Sequence, residues 1–350
     1  MPRTGHDRRT SSADTAPRAD PEPSGHRRRL VGIVIATVAI GCTGPAASQR
    51  RPVRVGSLSI GSPTSHGAIL GELRAGLADL GWVEGRDVEY VYAWAEGRTD
   101  RIPALAASLV EQRVDLIVTG NPVATRAAQL AAPSIPIVMG SGSDPVGNGL
   151  VASLARPGGN TTGMSNQAEA LVRKLLDLAR EAFPVAKRMA VMINETSPTA
   201  PTFWRETEAA SRASGLVPLR TVVRRPEEID EAIGSLSTRR ADALVVLPDP
   251  VYAAEHAAIV RRVASARLPA IYPFREFVLA GGLLSYGHSI RDSYRRSAAH
   301  VDKILKGTKP GVLPIEQPTR FELVVNARAA ANLATPLPRA ILLRADEVIG

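Results

Sequence analysis

Residues 53–80 read VRVGSLSIGSPTSHGAILGELRAGLADL, and this stretch decides the fold class. Val53 to Ile60 is a short aliphatic run of strand length. From His66 to Leu80 the period changes: Ile69, Leu73, Leu77 and Leu80 fall on one helical face, and Gly81 stops the helix. Between the two, Ser62-Pro63 pairs a capping side chain with a proline suited to a first helical turn. Strand, tight loop and amphipathic helix make the opening half of a βαβ unit, which predicts a parallel sheet.

The same rhythm continues on the C-terminal side. Val88 to Trp94 reads as a second strand, and Asp100 caps a helix carrying Ile102, Leu105, Leu109 and Val110 inward. Asp115–Thr119 and Ile135–Met139 are strands three and four. Arg156-Pro157-Gly158-Gly159-Asn160-Thr161-Thr162-Gly163 is turn-rich and reads as the boundary between two lobes. Beyond it strands are predicted at Met189–Asn194, Leu216–Val223, Ala243–Leu247 and Ala270–Tyr272, with helices near 169–182, 201–214, 226–238 and 252–266. Two more strands, at 283–286 and 321–325, flank a helix near 290–306. If each lobe takes one of them, the result is two Rossmann-like lobes, each with a parallel five-stranded sheet. The chain then crosses between lobes near 163, 280 and 312, which makes a three-crossing hinge. The predicted layout is a leader over 1–51, an N-terminal lobe from 52–163 plus 282–311, and a C-terminal lobe from 164–281 plus 312–350. A chain of 350 residues accommodates two such domains.

Composition narrows the function classes. Aromatics make up only 4% of the chain, so the cores must be built from Ala, Val, Leu and Ile. Eight Arg against four acidic residues in 1–50 supply +4 of the net charge of +9, and the remaining excess is spread thinly. No stretch interleaves basic and aromatic side chains as a nucleic-acid platform does, so no nucleic-acid partner is predicted. The single cysteine, Cys42, excludes an internal disulfide and a thiolate zinc site.

Residues 1–29 are polar and cannot bury enough apolar surface to fold. Arg27, Arg28 and Arg29 then precede an apolar run from Leu30 to Gly41, too short for the roughly 20 residues of a membrane span and fitting for a secretory signal. Ala39-Ile40-Gly41-Cys42 resembles a bacterial lipobox, which would make Cys42 the lipidated first residue of the mature chain. Cleavage near Ala46-Ala47-Ser48 is the competing reading, and a buried strand or helix over 30–41 is a third. The first two place the folded part in the periplasm or another extracytoplasmic space, with or without a lipid anchor.

In open parallel sheets, ligands bind beyond the carboxyl ends of the strands. The loops there read Ser62-Pro63, Asn121-Pro122, Ser197-Pro198 and Asp249-Pro250. Each is by itself a plain helix cap, but four at equivalent topological positions suggest helix starts aimed into one cleft, where free amides suit an anion. Ser59, Thr119, Gly120, Ser141, Ser143, Asp144 and Asn194 occupy the same edge. Phe274 and Tyr286 offer apolar faces to a ligand. Arg275 suits a ligand carboxylate or, more plainly, a surface pair with Glu276. The candidate ligand-binding set is therefore Ser59, Ser62, Thr119, Gly120, Asn121, Ser141, Asp144, Asn194, Ser197, Asp249, Phe274, Arg275 and Tyr286. Trp94 reads as core. No HExxH helix, GxSxG elbow, GxxxxGK[ST] loop or GxGxxG run is present in the sequence, so neither an enzyme, a cofactor nor a metal site is predicted.

Several segments together resemble the substrate-binding proteins of ABC transporters, in the branch of tryptophan/tyrosine-type binding proteins. They are Gly81-Trp82-Val83-Glu84-Gly85, Trp94-Ala95-Glu96-Gly97, Asp144-Pro145-Val146, 156–163, Phe274-Arg275-Glu276-Phe277 and Ala345-Asp346-Glu347-Val348-Ile349. They span nearly all of 52–349 in the expected order. The resemblance implies a type I periplasmic-binding fold, hinge closure on a small ligand such as an amino acid or related carboxylate, and delivery to an ABC permease and its ATPase. The long polar segment 1–29 departs from the shorter leader such relatives carry. A sensor domain handing its signal to a membrane kinase would use the same fold, as would an enzyme built on this scaffold. A cytoplasmic repressor is disfavoured, because 1–50 carries no helix-turn-helix pattern.

Overall fold

The computed structural model describes residues 51–333 and 336–350, and the leader, including Cys42 and the apolar run before it, lies outside them. The first lobe runs β1 (Val53–Ser59), α1 (Pro63–Asp79), β2 (Val88–Trp94), α2 (Ile102–Glu111), β3 (Leu116–Thr119), α3 (Pro122–Ala131), β4 (Ile137–Gly142) and β5 (Thr161–Ser165). Its strands lie in the order β2-β1-β3-β4-β5, all parallel. Every residue of β3 and β4 is buried, as expected of central strands covered by helices on both faces.

The second lobe continues with α4 (Ala168–Ala182), β6 (Arg188–Ile193), α5 (Ala200–Ser214), β7 (Val217–Val222), α6 (Ile229–Thr238), β8 (Ala243–Val246), α7 (Pro250–Ala254), α8 (His256–Ser265), β9 (Ala270–Tyr272), α9 (Arg275–Leu279) and β10 (Leu284–Gly287). α10 (Ile290–Leu305) then returns to the first lobe, where it packs along α1 and over β4. β11 (Glu322–Asn326), α11 (Ala327–Ala331), α12 (Arg339–Arg344) and β12 (Glu347–Ile349) finish the second lobe. Its sheet has seven strands in the order β12-β11-β10-β9-β8-β6-β7, and only the β10–β11 pair is antiparallel.

Two predicted features need correction. The expectation of five strands per sheet holds for the first lobe and not for the second. Residues 283–286 were expected in the N-terminal lobe; they pair instead with β9, Leu284 opposite Ile271 and Ser285 opposite Tyr272. The cause is the brevity of α9. After five helical residues the chain reverses at Gly281, which takes φ +105°, and the next strand has no length to travel farther than the neighbouring position. The rest of 282–311, the helix α10, does return to the first lobe. The first lobe takes its fifth strand from the stretch read as a boundary turn. Thr161 and Thr162 are β-branched and buried, and they pair with Ile137 and Val138. Gly163 completes that pairing with φ +125°, where a Cβ would lie 2.2 Å from the Met139 carbonyl oxygen.

The chain thus crosses between lobes three times: at Asn166–Gln167, at His288–Ser289 and along 313–321. The last crossing runs beside the first. Ser165 N–H donates to Glu316 O at 2.8 Å and Glu316 N–H to Gly163 O at 2.9 Å, while Thr162 Oγ1 donates to Leu313 O at 2.7 Å. Side-by-side segments tied by hydrogen bonds bend together and resist sliding, which suits a hinge.

Candidate ligand-binding cleft

The carboxyl ends of parallel strands from both sheets face one cavity of about 50 Å3. The first lobe contributes Ser59 and Ile60 after β1, His66 from α1, Gly120 and Asn121 after β3, and Ser141 and Ser143 at the end of β4. The second contributes Pro248, Asp249, Pro250 and Ala253 around the start of α7, with Phe274 after β9. The first crossing supplies Asn166, and α10 of the first lobe supplies Ile290 and Tyr294. The lobes touch around it: Ile60 and Ala95 share one continuous apolar cluster with Val251, Tyr252 and Phe274.

Helix starts frame the cavity. Asn121 caps α3, its Oδ1 accepting from Ala124 N–H at 2.9 Å, and Pro122 opens the helix. Asp249 caps α7: its Oδ1 accepts from Val251 N–H at 2.8 Å and from Asn194 Nδ2 at 3.3 Å. Ser289 caps α10 by accepting from Asp292 N–H at 3.1 Å, which fixes where Ile290 and Tyr294 emerge. The Tyr294 ring lies flat against strand backbone because the residues beneath it are glycines. A Cβ on Gly140 would meet ring carbons at 2.6 Å, and one on Gly120 would meet the hydroxyl oxygen at 2.4 Å.

The polar groups form a chain of neutral donors and acceptors. Asn166 Nδ2 reaches Ser143 Oγ at 3.1 Å and Ser141 Oγ at 3.5 Å, and His288 Nε2 lies 3.5 Å from Ser141 Oγ. Ser59 Oγ accepts from Gly61 N–H at 3.1 Å. Burial pushes the His66 imidazole down to about 4, with a smaller electrostatic contribution from the neighbouring His256, and burial alone does the same to His288. Both are therefore neutral at physiological pH. Burial pushes the Asp249 carboxyl the other way, up to about 6, against the pull of the Val251, Asn194 and Tyr252 donors. No Lys or Arg lines the cavity among the described residues.

Of the predicted set, Ser59, Gly120, Asn121, Ser141, Asp249 and Phe274 line the cavity. The others lie elsewhere, for identifiable reasons. Thr119 is one layer down, bonded to Thr125 at 2.7 Å. Asn194 stands behind Asp249 and orients it. Ser62 forms a capping box with Ser65 at the rim. Asp144 closes its own turn by accepting from Gly147 N–H at 2.8 Å. Ser197 bonds Thr199 at 2.9 Å, one turn before α5 begins. Arg275 pairs with Glu347 of β12 at 3.2 Å, neither with a ligand nor with Glu276. Tyr286 stacks on Phe321 with ring centroids 5.9 Å apart. Sequence reasoning missed Ile60, His66, Asn166, Ile290 and Tyr294. For Tyr294 a signal existed: Gly120 and Gly140 at two adjacent strand ends leave a flat bed for one ring.

The strand ends of the two α/β lobes thus converge on one cavity lined by both polar and apolar side chains. The family model for ABC transporter substrate binding proteins matches residues 57–349. The chain belongs to that family. Substrate-binding proteins of this family are extracytoplasmic and are not enzymes. The chain is 24% identical over 250 residues to a tyrosine-binding protein of Clostridioides difficile (strain R20291), covering 71% of this chain and 72% of that one. Among solved structures, an ABC domain in complex with L-Trp from Streptococcus pneumonia is 26% identical with a TM-score of 0.77, covering 85% of this substrate-binding protein and 100% of that chain. A conserved domain protein from Vibrio cholerae O1 biovar eltor is 25% identical with a TM-score of 0.78 over the same shares. Among the described residues no helix is long and apolar enough to cross a membrane.

Proposed function

We propose that this substrate-binding protein captures an amino acid or related carboxylate in the inter-lobe cavity and delivers it to an ABC permease driven by its ATPase. The observation that carries the reading is the lining itself. Both lobes and the first crossing contribute to one cavity with polar and apolar walls, so a ligand there touches both lobes at once only when they are together. Binding energy available in one state alone shifts the population toward that state. The start of α3 offers positive partial charge to a ligand carboxylate, and Ser141, Ser143, Asn166 and the Tyr294 hydroxyl offer neutral hydrogen-bond partners. Phe274, Ile60 and Ile290 supply apolar walls. The named ligands of the relatives, tyrosine and tryptophan, fit this chemistry in kind. We further propose that the leader exports the chain, and that Cys42 anchors it by a lipid.

The test is ligand discovery by thermal shift over amino acids and small carboxylates, followed by small-angle scattering with the best binder. A ligand that binds the native state alone raises the melting temperature, and the radius of gyration should fall on saturation. A confirmed ligand with no compaction would remove hinge closure from the account. Strong shifts only for solutes outside both classes would remove the ligand assignment.

A further inference from the structure

We propose that Asp249 is the anchor for a ligand ammonium group, so that the cleft selects amino acids over the carboxylates that lack the amine. This rests on the reading of the cleft as a ligand site and chooses within it. Among the described residues five helices are capped by a side chain accepting from the first turn, and four of them use neutral caps, Ser62, Asn121, Ser289 and Asn326. Asn and Ser cap as well as Asp does, so capping alone does not call for an acid at the start of α7. Asp249 is the exception: an ionisable carboxyl only 6% exposed, facing a cavity whose other polar groups are neutral.

Its surroundings leave a charge without a counterion. Both close hydrogen bonds, from Val251 N–H and from Asn194 Nδ2, go to Oδ1. These donors orient the carboxylate without neutralising it. Asn194 is itself held, its Oδ1 accepting from Thr196 N–H at 3.0 Å and from Thr196 Oγ1 at 2.7 Å, so its amide nitrogen is fixed toward Asp249. Among the described residues the cavity lining brings no Lys or Arg, and the imidazole of His66 within it is neutral. A buried, unpaired carboxylate is unfavourable until a cation reaches it. A ligand ammonium supplies that cation, with a charge-assisted hydrogen bond. A bare carboxylate ligand would instead add a second negative charge to a desolvated site. The amine end therefore belongs at the start of α7, and the acid end belongs across the cavity at the start of α3.

The test uses matched pairs at about pH 7.5: each proteinogenic L-amino acid that shifts the melting temperature is compared with its deaminated acid by calorimetric titration. L-tyrosine against 3-(4-hydroxyphenyl)propanoate and L-tryptophan against 3-(indol-3-yl)propanoate are included as probes. The expected result is a preference of at least ~100-fold for the amino acid, because a site built around a polar partner rejects the analogue that leaves it unpaired. Asp249→Asn keeps the cap and should lose that preference by weakening the amino acid alone. Equal affinity for both members of the pair in the unmodified protein overturns the proposal while leaving a carboxylate-binding cleft. The same holds if Asp249→Asn retains full affinity for the amino acid. Binding confined to solutes with neither group overturns the proposal together with the functional reading.

Discussion

Replacing Asp249 by Asn should make the ligand-free protein more stable at neutral pH while impairing its function. The carboxyl is raised from 3.8 to about 6 by burial. A folded-state value above the unfolded one means that the native state holds its proton more tightly. The group's contribution is therefore favourable in acid and is lost as pH rises through the folded value. Ionised above about pH 7, it costs the fold about 3 kcal/mol relative to the unfolded chain. Asn removes that cost and retains the oxygen that caps α7 through Val251 N–H. The expected gain is about 3 kcal/mol at about pH 7.5, shrinking to about 1 kcal/mol at about pH 4.5, where the native carboxyl is already protonated. For a folded unit of roughly 300 residues this is a rise of about 5 °C in melting temperature. The assay is thermal and urea unfolding of both proteins, stripped of bound solute by unfolding and refolding. An unchanged or lower midpoint for the variant at about pH 7.5, with native circular dichroism, would show that the charge is not desolvated and refute the reasoning.

Acid should act in the opposite sense through the buried imidazoles. His66 and His288 are held down at about 4, so between their ordinary 6.5 and that value the unfolded chain binds more protons and stability falls as pH falls. Each contributes about 3 kcal/mol to that loss, and His288→Asn should flatten the dependence measured by urea midpoints from pH 7 to about pH 4. Gly163→Ala should destabilise by about 3 kcal/mol or more in the same assay, since its Cβ would press on the Met139 carbonyl at 2.2 Å from a backbone with φ +125°. Arg275→Ala should leave ligand affinity within about threefold in calorimetric titration, because the guanidinium serves Glu347 rather than the cleft, and the partly exposed pair it breaks is worth about 1 kcal/mol or less.

Local rules carried the first lobe and lost accuracy where partners are remote. Ser62-Pro63, Asn121-Pro122 and Asp249-Pro250 do open α1, α3 and α7, because cap chemistry is contained in a few adjacent residues. Ser197-Pro198 opens no helix directly; α5 begins at Ala200, after an extra turn that no local preference distinguishes. The helix expected at 252–266 is two helices, broken at Glu255. β5 and β10 are five and four residues long and contain glycine, so their identity rests on the strands beside them. The strand-end rule found Asp249, Asn121 and Ser141, since topology alone places those loops at the cleft. It could not find Asn166, which arrives on a crossing segment, or Tyr294, which arrives on the returning helix α10. Nor could it separate Arg275 from the cavity, because Glu347 lies 72 residues away in sequence.

A crystal structure with the tightest-binding solute of the amino-acid panel tests the central claim most directly. The account predicts density between Asn121 and Asp249, within hydrogen-bonding distance of loops from both sheets, with a nitrogen of the solute facing the Asp249 carboxylate. Solute held by one lobe only, or bound on the outer surface while this space stays filled with water, would contradict it.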